Sequence, residues 1–344
     1  MHELRFRTVC HGYLKQQTHN FRSIIVSIVF FGILFSCDKE QKNTKLSGPV
    51  FGTSYSVIYN SDINYEPQFD SLFYVINKSM STYQVNSDIS KLNRNESQVV
   101  DAHFIKVFRA SEEIYKNTEG AFDPTIGAIV NAWDFGPEEK IANLDSLKID
   151  SLMLSVGLNK VKLIGNKIIK PEGAFIDFNA IAKGYGVDVI GEFLESKNVE
   201  NYLVEIGGEI RVRGKNVEKQ APWKVGVEMP HFDGEQSILN AIEVTNEAMA
   251  TSGTYRKFKL DKDGNRYAHI IDTKTGYPSK TNVLSISVIA ENCMTADGYA
   301  TAFKTMGIEK VKSFLKTHPE LKVFFVFEND INEFETLSLN GFPE

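Results

Sequence analysis

The first 40 residues differ in composition from everything that follows, and they decide which part of the chain has to fold. Four Lys and Arg side chains precede a nearly unbroken apolar run over 24–35. A run of about a dozen apolar residues has the size of a signal-peptide core, whereas a spanning helix needs about 20. We therefore expect residues 1–36 to be a signal peptide that is removed from the working protein.

The apolar run ends in Leu34-Phe35-Ser36-Cys37, which resembles a lipobox. In that motif a small residue precedes a cysteine that is diacylated and becomes the new N-terminus. We expect lipid on Cys37, a solvated tether over 37–48, and an exported protein that is anchored to a membrane and faces the periplasm. An uncleaved anchor helix, or a cleaved signal with an incidental cysteine, are the alternatives.

The roughly 300 remaining residues suit one large domain, which we place at 49–344. The whole chain has 42% hydrophobic residues and a net charge of -6, so it has no basic surplus to attract a polyanion. Nucleic acid is therefore not expected as a partner. Cys293 is the only cysteine after Cys37, which excludes a disulfide within the domain, and we expect it to be a small buried hydrophobe.

Hydrophobic periodicity predicts an α+β fold with helices packed against antiparallel sheet. Helical spacing of apolar residues is found over 69–81, 104–118, 147–156, 180–197, 295–306 and 310–317. Strand patterns are found over 51–60, 161–164, 168–169, 174–178, 204–206, 210–213, 223–227, 241–245, 256–260, 266–271, 283–289 and 322–327. The chain shows no internal repeat and no Pro- or Ser-rich linker after the tether.

Two segments combine Asp with glycines in a way that favours ligand binding. In Gly120 to Gly127, Asp123 precedes a proline, and the glycines allow backbone N–H groups to approach a ligand. A purely structural turn is the alternative. In Asp177 to Asp188, a strand leads into a helix whose first turn carries Lys183, an arrangement that favours a bound phosphate.

Glycines within the predicted helix 180–197 indicate close approach by another group. Gly184 and Gly186 each cost helix stability by about 1 kcal/mol relative to Ala, so we expect a neighbour that requires them.

Two further segments carry candidate chemistry. His269 precedes a tight turn through Asp272 and is a candidate acid, base or hydrogen-bond donor, or else a structural His that leads into the turn. Asp297 and Thr301 are four apart and share a helix face. A carboxylate and a hydroxyl so placed suit a hard cation such as Mg²⁺ that also holds phosphate oxygens. The alternative is an Asp that complements the helix dipole, with Thr packed beside it.

Together with Met80-Ser81-Thr82-Tyr83 and the segments 87–93, 205–209 and 251–253, these motifs occur in the order typical of one family. From residue 80 to residue 306 the chain resembles the ApbE family of FAD:protein FMN transferases. The resemblance implies a single large α+β domain of T-fold-related architecture, with antiparallel sheets, packed helices and a cleft that holds FAD.

The resemblance also implies a set of site residues. Magnesium would be held by the main-chain oxygen of Ala180 and the side chains of Asp297 and Thr301. The flavin, ribityl and adenine parts of FAD would be surrounded by Met80, Tyr83, Ala121, Phe122, Asp123, Asp177, Lys183 and Ile271. The chain departs from the family pattern at Asn179, where many relatives have Gly, and at Thr273, where they often have Pro.

The implied reaction is attack by a Thr or Ser hydroxyl of a client protein on the FMN-side phosphorus of FAD, with release of AMP. Lys183 would stabilise charge, and His269, Asp272 or Asp297 would accept the hydroxyl proton. The family points to clients among flavin-carrying subunits of sodium-pumping quinone reductases (NQR) and Rnf-type complexes. The alternatives are an FAD pyrophosphatase and a lipid-anchored flavin-binding protein without catalysis; Tyr83 favours transfer over hydrolysis.

Overall fold

The computed structural model describes residues 42–255, 258–260, 266–331 and 333–344, with the backbone alone at 266. The predicted signal peptide 1–36 and the predicted lipidation site Cys37 lie outside the described residues and stay predictions. The described residues belong to one unit, Lys42–Glu344. No helix within these ranges is long and apolar enough to cross a membrane.

The strands of the described part are numbered in chain order. They are β1 (Thr44–Val50), β2 (Thr53–Tyr59), β3 (Lys162–Ile164), β4 (Lys167–Ile169), β5 (Tyr202–Ile206), β6 (Glu209–Arg213), β7 (Trp223–Glu228), β8 (Ile238–Val244), β9 (Ala248–Gly253), β10 (Phe258–Leu260), β11 (Arg266–Ala268), β12 (Val283–Ala290), β13 (Lys322–Glu328) and β14 (Phe334–Leu339).

The helices of the described part are likewise numbered in chain order. They are α1 (Glu66–Met80), α2 (Asp88–Asn93), α3 (Ala102–Asn117), α4 (Gly127–Ala132), α5 (Ser146–Met153), α6 (Ala182–Ser196), α7 (Cys293–Met306) and α8 (Ile308–Leu315), with a 3₁₀ turn at Leu158–Lys160.

One antiparallel sheet of eight strands organises the fold, in the order β1-β2-β5-β6-β9-β12-β13-β14. The described residues also form three two-stranded sheets, β3-β4, β7-β8 and β10-β11. The prediction of an α+β domain with helices on antiparallel sheet is therefore confirmed.

The central strand β12 shows how the core is divided. All eight of its residues are buried, because both faces of the sheet are covered. Ile286 and Val288 pack with residues of the helices α3 and α7, whereas Ile289 packs with Trp223 and Val225 of the β7-β8 hairpin. Successive residues of a strand point to opposite faces, so the continuous apolar run in β12 reflects a sheet that is buried on both sides.

Strand β1 corrects the predicted domain boundary. We predicted a tether over 37–48 and a domain from residue 49, yet β1 already pairs with β2 from Thr44↔Tyr59 to Val50↔Thr53. Its side chains alternate between half-buried and exposed positions, as expected of an edge strand with one face on the protein. The small and polar residues of Thr44–Val50 gave too weak an apolar signal for prediction. The folded domain includes Thr44.

The segment 174–178 corrects a predicted strand. It is extended but makes a single bridge, Phe175 to Ile126, and belongs to none of the sheets. Its backbone is held instead by the side chain of Asn93, whose amide donates to Ile176 O and accepts from Ile176 N, both at 2.8 Å. Asp177 N adds a bond of 2.8 Å to Pro124 O. Side-chain partners thus replace a strand ladder at the point where the chain enters α6.

The strand predicted over 266–271 is shorter in the structure, where β11 ends at Ala268. Helices α2 and α4 and strands β9 and β14 had no counterpart in the sequence patterns.

Candidate functional site

A cleft of about 610 Å³ opens where the β5-β6 turn, the end of β9, the start of α6 and the middle of α7 come together. Its size lies within the range of about 300–1,000 Å³ that is usual for small-molecule sites. One part of its wall is apolar, with Phe122, Ile126, Phe135 and Ile271, and another part is charged. A cleft of this kind suits a ligand that has a flat apolar ring system and a polar part.

Ten of the thirteen predicted site residues line this cleft, although they come from four separate segments. They are Ala121, Phe122, Asp123, Asp177, Ala180, Lys183, His269, Ile271, Asp297 and Thr301. The structure therefore brings the predicted phosphate, cation and flavin groups to a single site.

The charged end of the cleft is built around Lys183. Its ammonium forms an ion pair with Glu209, whose side chain is only 3% exposed, while the Lys183 side chain is 32% exposed. Asp297 is also buried and lies close enough to interact with both charges. The Lys183 ammonium is therefore paired with one buried carboxylate and feels the charge of a second one.

Burial dominates the protonation of this cluster. It raises the pKa of Glu209 to about 7, an effect that Lys183 opposes and that the Asp297 carboxylate increases. Burial also raises the pKa of Asp297, against the effects of Lys183 and the Gly184 N–H. Burial alone would lower the pKa of Lys183, but the charges of Glu209 and Asp297 outweigh it and raise that pKa. The cluster thus has a surplus of acidic groups that additional positive charge would stabilise.

Close packing of α6 against α7 creates this cluster. Gly184 N donates to Asp297 Oδ2 at 3.0 Å, and a Cβ at Gly184 would lie 2.4 Å from Cys293 O and 2.8 Å from Asp297 Cβ. At the next turn of α6, the Asp188 carboxylate accepts the N–H groups of Cys293 and Met294 at 2.9 and 2.8 Å. The neighbour that the helix glycine indicated is therefore α7 itself.

Some of the N–H groups predicted to bind phosphate at the start of α6 already donate to acceptors within the protein. Ala182 N donates to Phe178 O at 2.8 Å, and Gly184 N to Asp297, so neither N–H is free for a ligand. The Lys183 side chain remains in the cleft, and one of its three donors is used by Glu209.

The β5-β6 turn delivers the second carboxylate. Gly207 and Gly208 have φ of +63° and +106°, which glycine adopts without strain, and they reverse the chain directly before Glu209. Glu205, at the other side of this turn, accepts the Gly208 N–H at 2.7 Å, and it also lines the cleft.

Asp123 and Asp177 border the cleft but also organise their own loops. Asp123 Oδ1 accepts both the N–H and the hydroxyl of Thr125, at 2.8 and 2.6 Å, and burial raises its pKa. The Asp177 carboxylate accepts from the backbone and the side chain of Asn179, at 2.8 and 3.1 Å. Both the ligand-site interpretation and the structural-turn interpretation of the Asp123 segment are therefore compatible with the structure.

His269 forms part of the opposite wall. Its ring packs edge to face on Phe135 at 6.2 Å between ring centres, and both residues line the cleft. The turn that follows is anchored by Thr273, whose hydroxyl donates to Gly120 O at 2.5 Å, a bond that a proline could not make. Trp133 Nε1 adds a bond of 2.9 Å to Gly276 O. The turn is thereby fastened to the Gly120 loop and to the end of α4.

Three predicted site residues are not among those that line the cleft. Met80 ends α1 and is buried in the main core. Tyr83 is 59% exposed, and partial burial and the charge of Asp177 raise its pKa. Asp272 lines a smaller cavity of about 320 Å³ and accepts the N–H groups of Lys274 and Thr275 at 2.8 and 3.2 Å. The geometry assigns Asp272 to the turn.

Glu209 is a candidate functional residue that the sequence motifs alone do not single out. The signal was present in Glu205-Ile206-Gly207-Gly208-Glu209, where two acidic residues flank a glycine pair between strands. Only the tertiary structure shows that Glu209 forms an ion pair with Lys183, which is 26 positions away in sequence.

The donor set at the charged end fits a divalent cation. Ala180, Asp297 and Thr301 all line the cleft, and they offer oxygen atoms, which Mg²⁺ prefers. Oε2 of Glu209 is buried, and no hydrogen-bond partner for it is found within the described ranges. An unsatisfied buried carboxylate oxygen beside a second carboxylate is the expected arrangement of a site that binds positive charge.

An antiparallel sheet covered by helices, with an acidic and apolar cleft at its centre, thus defines a protein that binds a cofactor-sized ligand. A sequence model of the ApbE family matches residues 51–325, and the chain belongs to this family. It is 37% identical to the FAD:protein FMN transferase of Haemophilus influenzae, over 93% of this chain and 96% of that protein. The FAD:protein FMN transferase of Vibrio cholerae is 35% identical over 90% and 95% of the two chains.

Solved structures agree with the sequence comparison. The flavin transferase ApbE from Vibrio cholerae superimposes with a TM-score of 0.78 and 34% identity, covering 87% of this chain and 97% of that one. The apo form of the Pseudomonas stutzeri flavinyl transferase ApbE gives a TM-score of 0.77 at 28% identity, covering 87% and 95%. The resemblance seen in the sequence motifs is therefore confirmed.

Proposed function

We propose that this protein transfers FMN from FAD to a Thr or Ser hydroxyl of a client protein, releases AMP, and requires Mg²⁺. The observation that carries the proposal is the meeting of Lys183, Asp297 and Thr301 at one end of a cleft with apolar walls. Two relatives of known structure, which this chain matches over nearly their full length, are flavin transferases. This similarity supports the same activity here.

In this proposal the apolar wall holds the ring systems of FAD, and the charged end receives its diphosphate. Lys183 stabilises negative charge on the phosphate oxygens. The oxygens of Ala180, Asp297 and Thr301 would hold Mg²⁺, which supplies charge neutralisation for the leaving phosphate when it is bound.

The client hydroxyl forms a bond to the FMN-side phosphorus, and the bond from that phosphorus to the bridging oxygen breaks, so that AMP carries the oxygen away. The hydroxyl proton needs an acceptor beside the phosphorus. We assign this role to His269, because its ring lines the cleft whereas the Asp272 carboxylate is bonded to its own turn.

Export and a lipid anchor at Cys37 remain part of the proposal. Clients with flavin domains on the outer side of the inner membrane, such as NQR- or Rnf-type subunits, would have to be modified after export. An anchored enzyme would be held near that surface.

Mass spectrometry of a client protein incubated with this protein, FAD and Mg²⁺ tests the activity. Transfer predicts that the client gains the mass of FMN and that AMP appears in equal amount. Free FMN with AMP and an unmodified client would instead identify an FAD pyrophosphatase. Intact FAD that stays bound would identify a flavin-binding protein without catalysis.

A further inference from the structure

Glu209 has one carboxylate oxygen that its structural role does not use. Oε1 forms the ion pair with Lys183, while Oε2 is buried without a hydrogen-bond partner among the described residues. The side chain is 3% exposed and borders the cleft. Leaving a buried polar group unsatisfied costs roughly 1–3 kcal/mol, and more for a charged group, so this oxygen calls for an explanation.

Orientation of Lys183 does not explain it. Holding the Lys183 ammonium in place needs only one acceptor oxygen. A glutamine amide would provide that oxygen without burying a negative charge. The nearby Asp297 makes the arrangement more costly, because the two carboxylates repel each other in surroundings of low dielectric. Two buried carboxylates beside one ammonium are stable when one of them is protonated or when positive charge beyond that of Lys183 joins them.

We propose that Glu209 takes part in cation binding, with Oε2 accepting hydrogen bonds from the water shell of a divalent cation held at Asp297 and Thr301. Oε1 meanwhile keeps Lys183 in place. The inference rests on the proposed function, because it presupposes the cation site. Mg²⁺ in proteins usually retains several waters, and carboxylates that bind such outer groups affect metal affinity by about 10- to 100-fold. Glu209 is thus a positioning residue that acts on both the cation and the lysine.

The test is a titration of the full-length protein with Mn²⁺, monitored by electron paramagnetic resonance, without FAD and without client. We expect Glu209→Gln to weaken Mn²⁺ binding by about 10- to 100-fold, although the amide oxygen still accepts from Lys183. Thermal unfolding and far-ultraviolet circular dichroism check that each variant is folded. Glu209→Ala should weaken binding at least as much.

Two variants distinguish a role of Glu209 in cation binding from a general effect of negative charge in the cleft and from an effect through Lys183. Glu205→Gln removes a carboxylate that also lines the cleft but is bonded to Gly208 N, so we expect less than about a threefold change. Lys183→Met removes the ion pair and should leave Mn²⁺ affinity equal or higher. If Lys183→Met weakens binding as much as Glu209→Gln does, Glu209 acts only through the lysine and the inference is wrong.

Asp297→Ala is the reference and should abolish binding at this site. If Asp297→Ala abolishes binding and Glu209→Gln binds Mn²⁺ like the unaltered protein, the inference about Glu209 fails and the cation site stands. If both variants bind like the unaltered protein, the cation site itself is wrong, and the proposed magnesium dependence fails with it.

Discussion

The backbone N–H of Gly184 donates a hydrogen bond of 3.0 Å to Asp297 Oδ2 and so joins α6 directly to α7. These residues are 113 positions apart in sequence, and each has a neighbour in the site. Lys183 precedes Gly184, and Thr301 lies one helical turn after Asp297. The separation of the two helices at this point therefore sets the distance between the lysine and the cation ligands.

Replacing Gly184 by Ala should damage both stability and activity. The new Cβ would lie 2.4 Å from Cys293 O, a backbone atom that cannot move without shifting α7. We expect a loss of about 2 kcal/mol in the free energy of unfolding, together with a higher Mg²⁺ requirement. Urea unfolding and a Mg²⁺ titration of activity measure the two effects. Gly186→Ala is the control, because the nearest neighbour of its new Cβ is the ring of the partly buried Phe51, which can move. Equal losses in both variants would contradict a specific role of the contact between Gly184 and α7.

Replacing Asn93 by Ala should loosen the entrance to α6. The variant loses both 2.8 Å bonds to Ile176, which precedes Asp177, and leaves two backbone groups of a half-buried segment unsatisfied. We expect a loss of about 2 kcal/mol in stability and weaker FAD binding, measured by urea unfolding and by fluorescence titration. Asn93→Asp keeps the acceptor for Ile176 N but sets a carboxylate oxygen against Ile176 O, so its loss should be at least as large. Unchanged FAD affinity in Asn93→Ala would show that the segment does not position the ligand.

Two of the three candidate proton acceptors, His269 and Asp272, lead to opposite predictions. His269→Gln should lower the rate of FMN transfer by about 100-fold or more while FAD still binds. Asp272→Asn should change the rate by less than about threefold, because an Asn oxygen accepts the same two turn N–H groups. Single-turnover rates of both variants decide the matter, and a larger loss in Asp272→Asn would reverse the assignment.

Lys304 offers a prediction about stability and pH that is independent of catalysis. Its side chain is 1% exposed, and its Nζ donates to the neutral hydroxyl of Thr281 at 2.9 Å. Burial lowers the pKa of Lys304 from 10.5 to about 8. Between these values the unfolded chain binds more protons than the folded protein, so the contribution of Lys304 to stability rises with pH across that window.

Below about pH 8 the buried charge costs roughly 3 kcal/mol at most, so Lys304→Met should stabilise the protein at neutral pH. The gain should shrink when urea unfolding is repeated at about pH 10. Lys312→Met, at an exposed position on α8, should show little change at either pH. A Lys304→Met variant that is no more stable than the parent at neutral pH would contradict the burial cost.

Local patterns predicted most of the long elements, because a helix such as α3 or a strand such as β13 carries its periodicity within one segment. They failed where the stabilising partners are distant. The extended segment 174–178 depends on Asn93, and β9 ends in Thr251-Ser252-Gly253, whose short polar side chains give no strand signal. Edge strand β1 lacks the apolar alternation of a buried strand.

The site residues also differ in whether local sequence could identify them. Asp297 and Thr301 could be paired from their spacing on one helix, and both line the cleft. Glu209 could not be assigned, because its meaning depends on Lys183, which approaches from another element. The helix glycine Gly184 predicted close approach correctly, but spacing alone did not say that the approaching group is α7.

The dependence of FMN transfer on Asp297 can be measured as covalent flavin on the client protein. The readout is the fluorescence of the denatured client after incubation with FAD and Mg²⁺. The comparison is between the unaltered protein and Asp297→Ala, with Asp272→Asn as the matched control. Labelling by Asp297→Ala should fall by at least about 100-fold, while labelling by Asp272→Asn should stay near the unaltered level. Labelling by Asp297→Ala at the rate of the unaltered protein would contradict the proposal that this carboxylate holds the cation on which transfer depends.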